Sequence, residues 1–206
     1  MNRPHPLIKI CGIRTPEDAR VACEAGADVV GLVQADGSPR LLGESETTTI
    51  LDQLPGRLDA IPVFTNPSSE DILAIPTRWI QLHGEESPDD VARIAMRTKR
   101  RIIRGMSFDH DACQIWAAHP DVDILLIDGA QAGSGEAFDH HQLVDLLPTL
   151  RVPTIIAGGL DPDSVHRLLQ IVQPFGVDVS SGVESARGTK DHGLIRSFCQ
   201  AVRDAR

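Results

Sequence analysis

Pro153-Thr154-Ile155-Ile156-Ala157-Gly158-Gly159-Leu160-Asp161-Pro162-Asp163 holds the start of a complete folding unit. Thr154 to Ala157 is short, apolar and β-branched, the composition of a buried strand. Gly158-Gly159 ends it. Asp161 then offers a capping oxygen, and Pro162, which has no N–H to leave unsatisfied, suits the first helical position. The same order recurs along the chain. Thr15-Pro16-Glu17-Asp18 and Ser87-Pro88-Asp89-Asp90 repeat the cap, proline and acidic first turn, and Gly26 marks a helix stop after Glu24-Ala25.

Extended outward, the pattern predicts strands over 7–11, 28–34, 59–65, 79–83, 101–106, 123–128, 153–157 and 176–180. Helices are expected over 16–25, 45–54, 68–75, 88–97, 109–118, 139–147, 162–172 and 191–203. Strands joined by helices of this length pair in parallel through right-handed crossovers. An open doubly wound sheet shares that grammar, but this many consecutive units with short connections favour closure. The expected architecture is an α/β protein, a single-domain (β/α)8 TIM barrel spanning residues 1–206. Active sites of such barrels lie at the carboxyl ends of the strands.

Composition excludes several classes of function. A net charge of −9 is wrong for neutralising phosphates along a nucleic acid. Arg97-Lys99-Arg100-Arg101 therefore reads as a solvated helix end. No apolar run approaches the ~20 residues of a membrane span. Met1 to Pro6 carries no apolar core of a secretory signal, so a cytoplasmic protein is expected, by default a monomer with a homodimer as the alternative. Cys11, Cys23, Cys113 and Cys199 lack CxxC spacing, which argues against a zinc site or a disulfide framework. His110, His119, His140, His141, His166 and His192 have no metal-binding spacing and read as surface residues; no metal is expected.

Residues at strand ends carry the candidate chemistry. Cys11 closes the first strand before Gly12, where a thiol can act as a thiolate if positive charge lowers its pKa. Cys23, Cys113 and Cys199 fall in helices and read as buried apolar residues. Asp128 closes Ile124 to Ile127, and an aliphatic wall favours the protonated carboxyl of a general acid. Alternation puts Lys9 and Cys11 on one side of the first strand, and Asp178 and Ser180 on one side of the last. Those strands are neighbours in a closed barrel, so Lys9 and Asp178 would pair, as charge compensation or as part of the site. Gln81 and His83 likewise share a side; His83 reads as a substrate ligand, a loop anchor or a structural residue. Arg40, in the Ser38-Pro39-Arg40 loop, is either solvated or a two-pronged carboxylate clamp. The turns at Gly158-Gly159 and Ser180-Ser181-Gly182 follow strands seven and eight, where barrels commonly bind phosphate.

These motifs, taken in order, resemble phosphoribosylanthranilate isomerases. Lys9-Ile10-Cys11-Gly12-Ile13-Arg14 resembles the family's opening strand and turn, and the Ser-Pro-Arg loop follows. Val63-Phe64-Thr65-Asn66 and Gln81-Leu82-His83-Gly84 resemble strands three and four. Gly133-Ser134-Gly135 with Phe138-Asp139 resembles the sixth loop. Ala157-Gly158-Gly159-Leu160 and Val177-Asp178-Val179-Ser180-Ser181-Gly182-Val183-Glu184, with Gly188-Lys190-Asp191, complete the series. The resemblance implies a cofactor-free Amadori rearrangement of a phosphorylated aminosugar in tryptophan biosynthesis, with Cys11 as general base and Asp128 as general acid. It further implies that Arg40 binds the anthranilate carboxylate, that the glycine turns hold phosphate, and that His83 and Asp178 line the pocket.

The chain departs from the family at Gly129 and Ala132, which replace a threonine and a glycine in a shortened sixth connection. Gln34 and His140 stand where aromatic residues are usual. Two further readings follow: a paralogue acting on another phosphorylated aminoaldose, which the altered sixth loop would mark, and a phosphosugar binder without turnover. A pure binder needs neither Cys11 nor Asp128. The related histidine-pathway isomerase is expected to use two aspartates, which Cys11 contradicts.

Overall fold

The computed structural model describes residues 5–129 and 142–205. The strands are β1 Leu7–Cys11, β2 Val29–Val33, β3 Asp59–Phe64, β4 Trp79–Leu82, β5 Arg101–Ser107, β6 Ile124–Asp128, β7 Thr154–Ala157 and β8 Gly176–Val179. They pair in sequence order, all parallel, and β8 returns to β1 in register Leu7↔Gly176 and Lys9↔Asp178. The barrel is closed, as expected.

Between the strands run α1 Pro16–Ala25, α2 Glu44–Asp52, α3 Ser69–Leu73, α4 Pro88–Thr98, α5 His110–Ala117, α6 Gln142–Leu146 and α7 Pro162–Ile171, with α8 His192–Asp204 closing the ring. Thr15, Ser87 and Asp161 cap α1, α4 and α7, and Gly26 stops α1 with a left-handed φ of 94°. The second and third helices end earlier than the sequence pattern suggests. Pro55 and Pro76 explain this, since a residue before proline is pushed out of the helical region. Of the expected 139–147 helix, residues 139–141 lie outside the described residues, as do the sixth-loop residues Ala132, Gly133, Ser134, Gly135 and Phe138 with His140 and His141. A 3-10 turn at Leu147–Thr149 takes up the end of that span.

Two elements were not anticipated. A 3-10 turn at Ser181–Val183 leads into a hairpin of β9 Glu184–Ala186 and β10 Thr189–Lys190, antiparallel to each other and outside the barrel.

Alternation along the strands sorts the side chains into two layers. Ile8, Ile10, Val177 and Val179 face outward and join the main core with helix residues such as Val21, Ile195 and Phe198. Inside, the lower barrel is filled by Leu7, Val29, Ile61, Ile103, Ile124, Leu126 and Ile155. One step up the same faces stand Lys9, Gln81 and Asp178, all buried. The interior thus turns from apolar to polar toward the carboxyl ends of the strands. Cys23, Cys113 and Cys199 are buried, as expected.

Candidate active site

At that polar end Cys11, His83, Asp128 and Asp178 lie at or beside the carboxyl ends of β1, β4, β6 and β8, near enough for their charges to act on one another. Lys9 lies beneath them, fully buried, with Nζ 2.9 Å from Oδ2 of Asp178. Burial works against its charge, but the neighbouring Asp178 carboxylate and Cys11 outweigh burial and hold the Lys9 pKa above its ordinary value. The pairing expected from strand alternation is therefore present, and it also supports the floor of the site.

Cys11 is held in a shaped space. Gly31 is its partner on β2, and a Cβ added there would fall 2.7 Å from Sγ. The glycine makes room for the thiol. Burial pushes the Cys11 pKa up, opposed first by Lys9 and also by Lys190, while Asp178 adds to the rise. Two ammonium groups thus favour the thiolate in a setting that otherwise disfavours it.

His83 follows β4 and stands with Nδ1 2.8 Å from Nε2 of Gln81. Gly105 on β5 leaves space for the ring, since a Cβ there would collide with Nδ1. Burial lowers the imidazole pKa, with Asp128 pulling the other way, so the neutral ring is favoured. Asp128 ends β6 in register with Ser107 and Ala157, and its charge also reaches Asp178.

Arg40 is not simply solvated. Its stem crosses Gly12, where an added Cβ would collide with Arg40 Cδ. Its guanidinium meets Glu184, with Nε 2.6 Å from Oε1 and Nη2 2.8 Å from Oε2. The glycine turns also come together. Gly158 and Gly159 have φ of 97° and 62°, and a Cβ on Gly182 would strike the Leu160 carbonyl oxygen. The turn after β8 therefore lies directly on the turn after β7. Ser180 Oγ donates to the Cys11 carbonyl at 3.2 Å, tying that region to the end of β1.

Sequence reasoning assigned no role to several residues. Glu184 and Lys190 pair at 3.0 Å, and Lys190 also donates to the Ser180 carbonyl at 2.8 Å. Both side chains are nearly inaccessible. Their signal lay in the Glu184 to Lys190 spacing, too short for strand periodicity to register. Behind His83, Arg104 on the helix-facing side of β5 pairs with buried Glu86 at 2.7 Å. Glu86 also accepts from the backbone N–H groups of Asn66 and Gly84. His192 is more than a surface residue, its Nε2 lying 2.9 Å from Oδ1 of Asp18. The basic cluster is mostly solvated as read, although Arg101 begins β5, stacks on Trp79 and pairs with Asp123.

A cavity of about 560 Å³ opens between α2 and α3, lined by Gln34, Leu42, Thr47, Phe64 and Asn66. Gln34 is fixed there by a 3.0 Å bond to Thr47. Among the described residues no cluster of three or more His, Cys, Asp or Glu side chains is arranged to hold a metal ion. No helix among them is long and apolar enough to cross a membrane.

Residues 8–201 match the family model described as N-(5'-phosphoribosyl)anthranilate (PRA) isomerase. The chain belongs to the N-(5'-phosphoribosyl)anthranilate isomerase family. The isomerase of that name from Pseudomonas fluorescens is 40% identical over 204 residues, covering 96% of this chain and 95% of its own. The isomerase structure from Thermus thermophilus superposes with a TM-score of 0.85 at 31% identity, covering 97% of this chain and all of that one. A family structure in complex with reduced 1-(o-carboxyphenylamino)-1-deoxyribulose 5-phosphate gives a TM-score of 0.83 at 31% identity, covering 96% of this chain and 98% of its own.

Proposed function

We propose that this isomerase of tryptophan biosynthesis rearranges N-(5′-phosphoribosyl)anthranilate to 1-(2-carboxyphenylamino)-1-deoxyribulose 5-phosphate by acid and base catalysis at Asp128 and Cys11. The observation that carries this assignment is the placing of a thiol among two ammonium groups, Lys9 and Lys190, at the same end of the barrel as the Asp128 carboxyl.

Asp128 donates its proton to the furanose ring oxygen, the C1′–O bond breaks, and the nitrogen lone pair forms the iminium. The Cys11 thiolate then takes the C2′ proton, and the electron pair of that C–H bond moves into the iminium. The resulting enolamine tautomerises to the aminoketose. The iminium is the electron sink, so the chemistry draws only on these residues and the substrate. Arg40 holds the anthranilate carboxylate, and the turns at Gly158-Gly159 and Ser180-Ser181-Gly182 hold the phosphate. Anchoring both ends keeps C2′ between acid and base. The neutral His83 ring and the Asp178 carboxylate complete the polar wall.

The test is steady-state fluorescence of freshly made substrate with the wild type, Cys11→Ala and Asp128→Asn. Turnover in the wild type, with a loss of at least about a hundredfold in each folded variant, is the expected result. Near-wild-type activity in either variant would overturn the acid and base assignment.

A further inference from the structure

The β9–β10 hairpin is small, yet it is built against the loop that carries Arg40. Gly188 at its turn has a φ of 82°, and a Cβ there would fall 2.6 Å from the Pro39 carbonyl oxygen. The hairpin thus seats directly on Pro39-Arg40. From it Glu184 reaches the guanidinium with both carboxylate oxygens. Glu184 itself is held by the Gly188 N–H at 3.1 Å and by Lys190 Nζ at 3.0 Å, and its side chain is 4% exposed. Burial opposes its charge, but Arg40, Gly188 and Lys190 together bring its pKa down to about 2. At neutral pH it is an anion held in place from three sides.

The faces of the guanidinium decide what this arrangement is for. Glu184 takes the side-on fork formed by Nε and Nη2. A guanidinium has a second fork, end-on, formed by Nη1 and Nη2, equally matched to a carboxylate. Glu184 therefore leaves one bidentate face of Arg40 available and sets the plane in which it lies.

We propose that Glu184, locked by Lys190 and the β9–β10 hairpin, is the positioning residue that aims the end-on face of Arg40 at the substrate carboxylate and so sets selectivity for carboxylated aryl substrates. This deepens the proposed function and rests on the assignment of Arg40 to that carboxylate. A flexible arginine loses side-chain freedom on gripping a ligand; one already held in plane loses less.

The experiment compares two ligands by calorimetry: the reduced aminosugar phosphate bearing a 2-carboxyphenyl group, and the same compound with a plain phenyl ring. The wild type should prefer the carboxylated ligand, and Arg40→Ala should abolish that preference. Glu184→Gln should weaken the carboxylated ligand about tenfold and the phenyl ligand by less than about twofold, the size of one charge-assisted hydrogen bond. The Arg40→Ala/Glu184→Gln double variant should be no weaker than Arg40→Ala, because Glu184 acts through Arg40. If Arg40→Ala retains the preference, the carboxylate assignment fails and takes this inference with it. If Arg40→Ala abolishes it while Glu184→Gln weakens both ligands equally or neither, the assignment stands and the positioning role is overturned.

Discussion

Replacing Lys9 by methionine removes one charge of a buried pair and leaves the other. Lys9 is fully buried, and Asp178 is 7% exposed. Of the two Asp178 oxygens, Oδ2 bonds Lys9 Nζ, and Oδ1 has no hydrogen-bond partner among the described residues. The ammonium is therefore the carboxylate's principal compensation. Breaking such a pair by removing one member costs about 3–5 kcal/mol, chiefly through the stranded charge. For a domain of this size each kcal/mol is worth roughly 2–4 °C, so Lys9→Met should lower Tm by about 6 °C or more. Removing both charges should behave differently: Lys9→Met/Asp178→Leu should return to within about 1–2 kcal/mol of the wild type.

The pH dependence of this deficit has a definite sign. In Lys9→Met the buried Asp178 carboxyl has a folded pKa above its unfolded value of about 3.9. Such a group costs nothing while protonated in both states, and its penalty grows as pH rises through the folded pKa. The variant should therefore approach the wild type in acid and fall behind toward neutrality. Urea unfolding at several pH values measures this. A Lys9→Met deficit under about 1 kcal/mol, a double variant as unstable as the single, or a deficit independent of pH would refute the account.

Two shorter predictions follow from close contacts. Gly182→Ala places a methyl against the Leu160 carbonyl oxygen, a backbone atom that cannot swing aside, so the two glycine turns must separate. Inorganic phosphate affinity, measured by calorimetry, should fall about tenfold, and an unchanged affinity would remove these turns from the phosphate site. Glu86→Ala strands the Arg104 guanidinium and two backbone N–H groups, on Asn66 and Gly84. Unfolding in urea should show a loss of about 3 kcal/mol or more, and a loss below about 1 kcal/mol would mean that water replaces the carboxylate there.

The strands were legible because each barrel strand is an apolar run punctuated by capping residues and glycine, signals that act within a few residues. Lys9 with Asp178, and Gln81 with His83, were legible by alternation once closure was assumed. The β9–β10 hairpin was not, because strands of two and three residues carry no period, and it is held by Glu184 to Arg40 across a long separation. The Arg104–Glu86 pair was hidden for a similar reason. An arginine in a strand reads as exposed, and only the fold brings the cap region of α4 over it. Cys11 and Asp128 stood out by their places at strand ends, the base role of Cys11 came from the family resemblance, and the charges around both needed the closed barrel.

Lys9 and Asp178 are 169 residues apart in the chain, and they meet only where the last strand joins the first. At about 5–20 residues per second, a ribosome needs roughly 8–34 s to make that interval. Until β8 is made, the flank of β1 that pairs with it stays open and Lys9 lacks the carboxylate beside which it is buried. β8, the last strand of the barrel, is therefore the one that gives β1 its second neighbour and Lys9 its counter-charge.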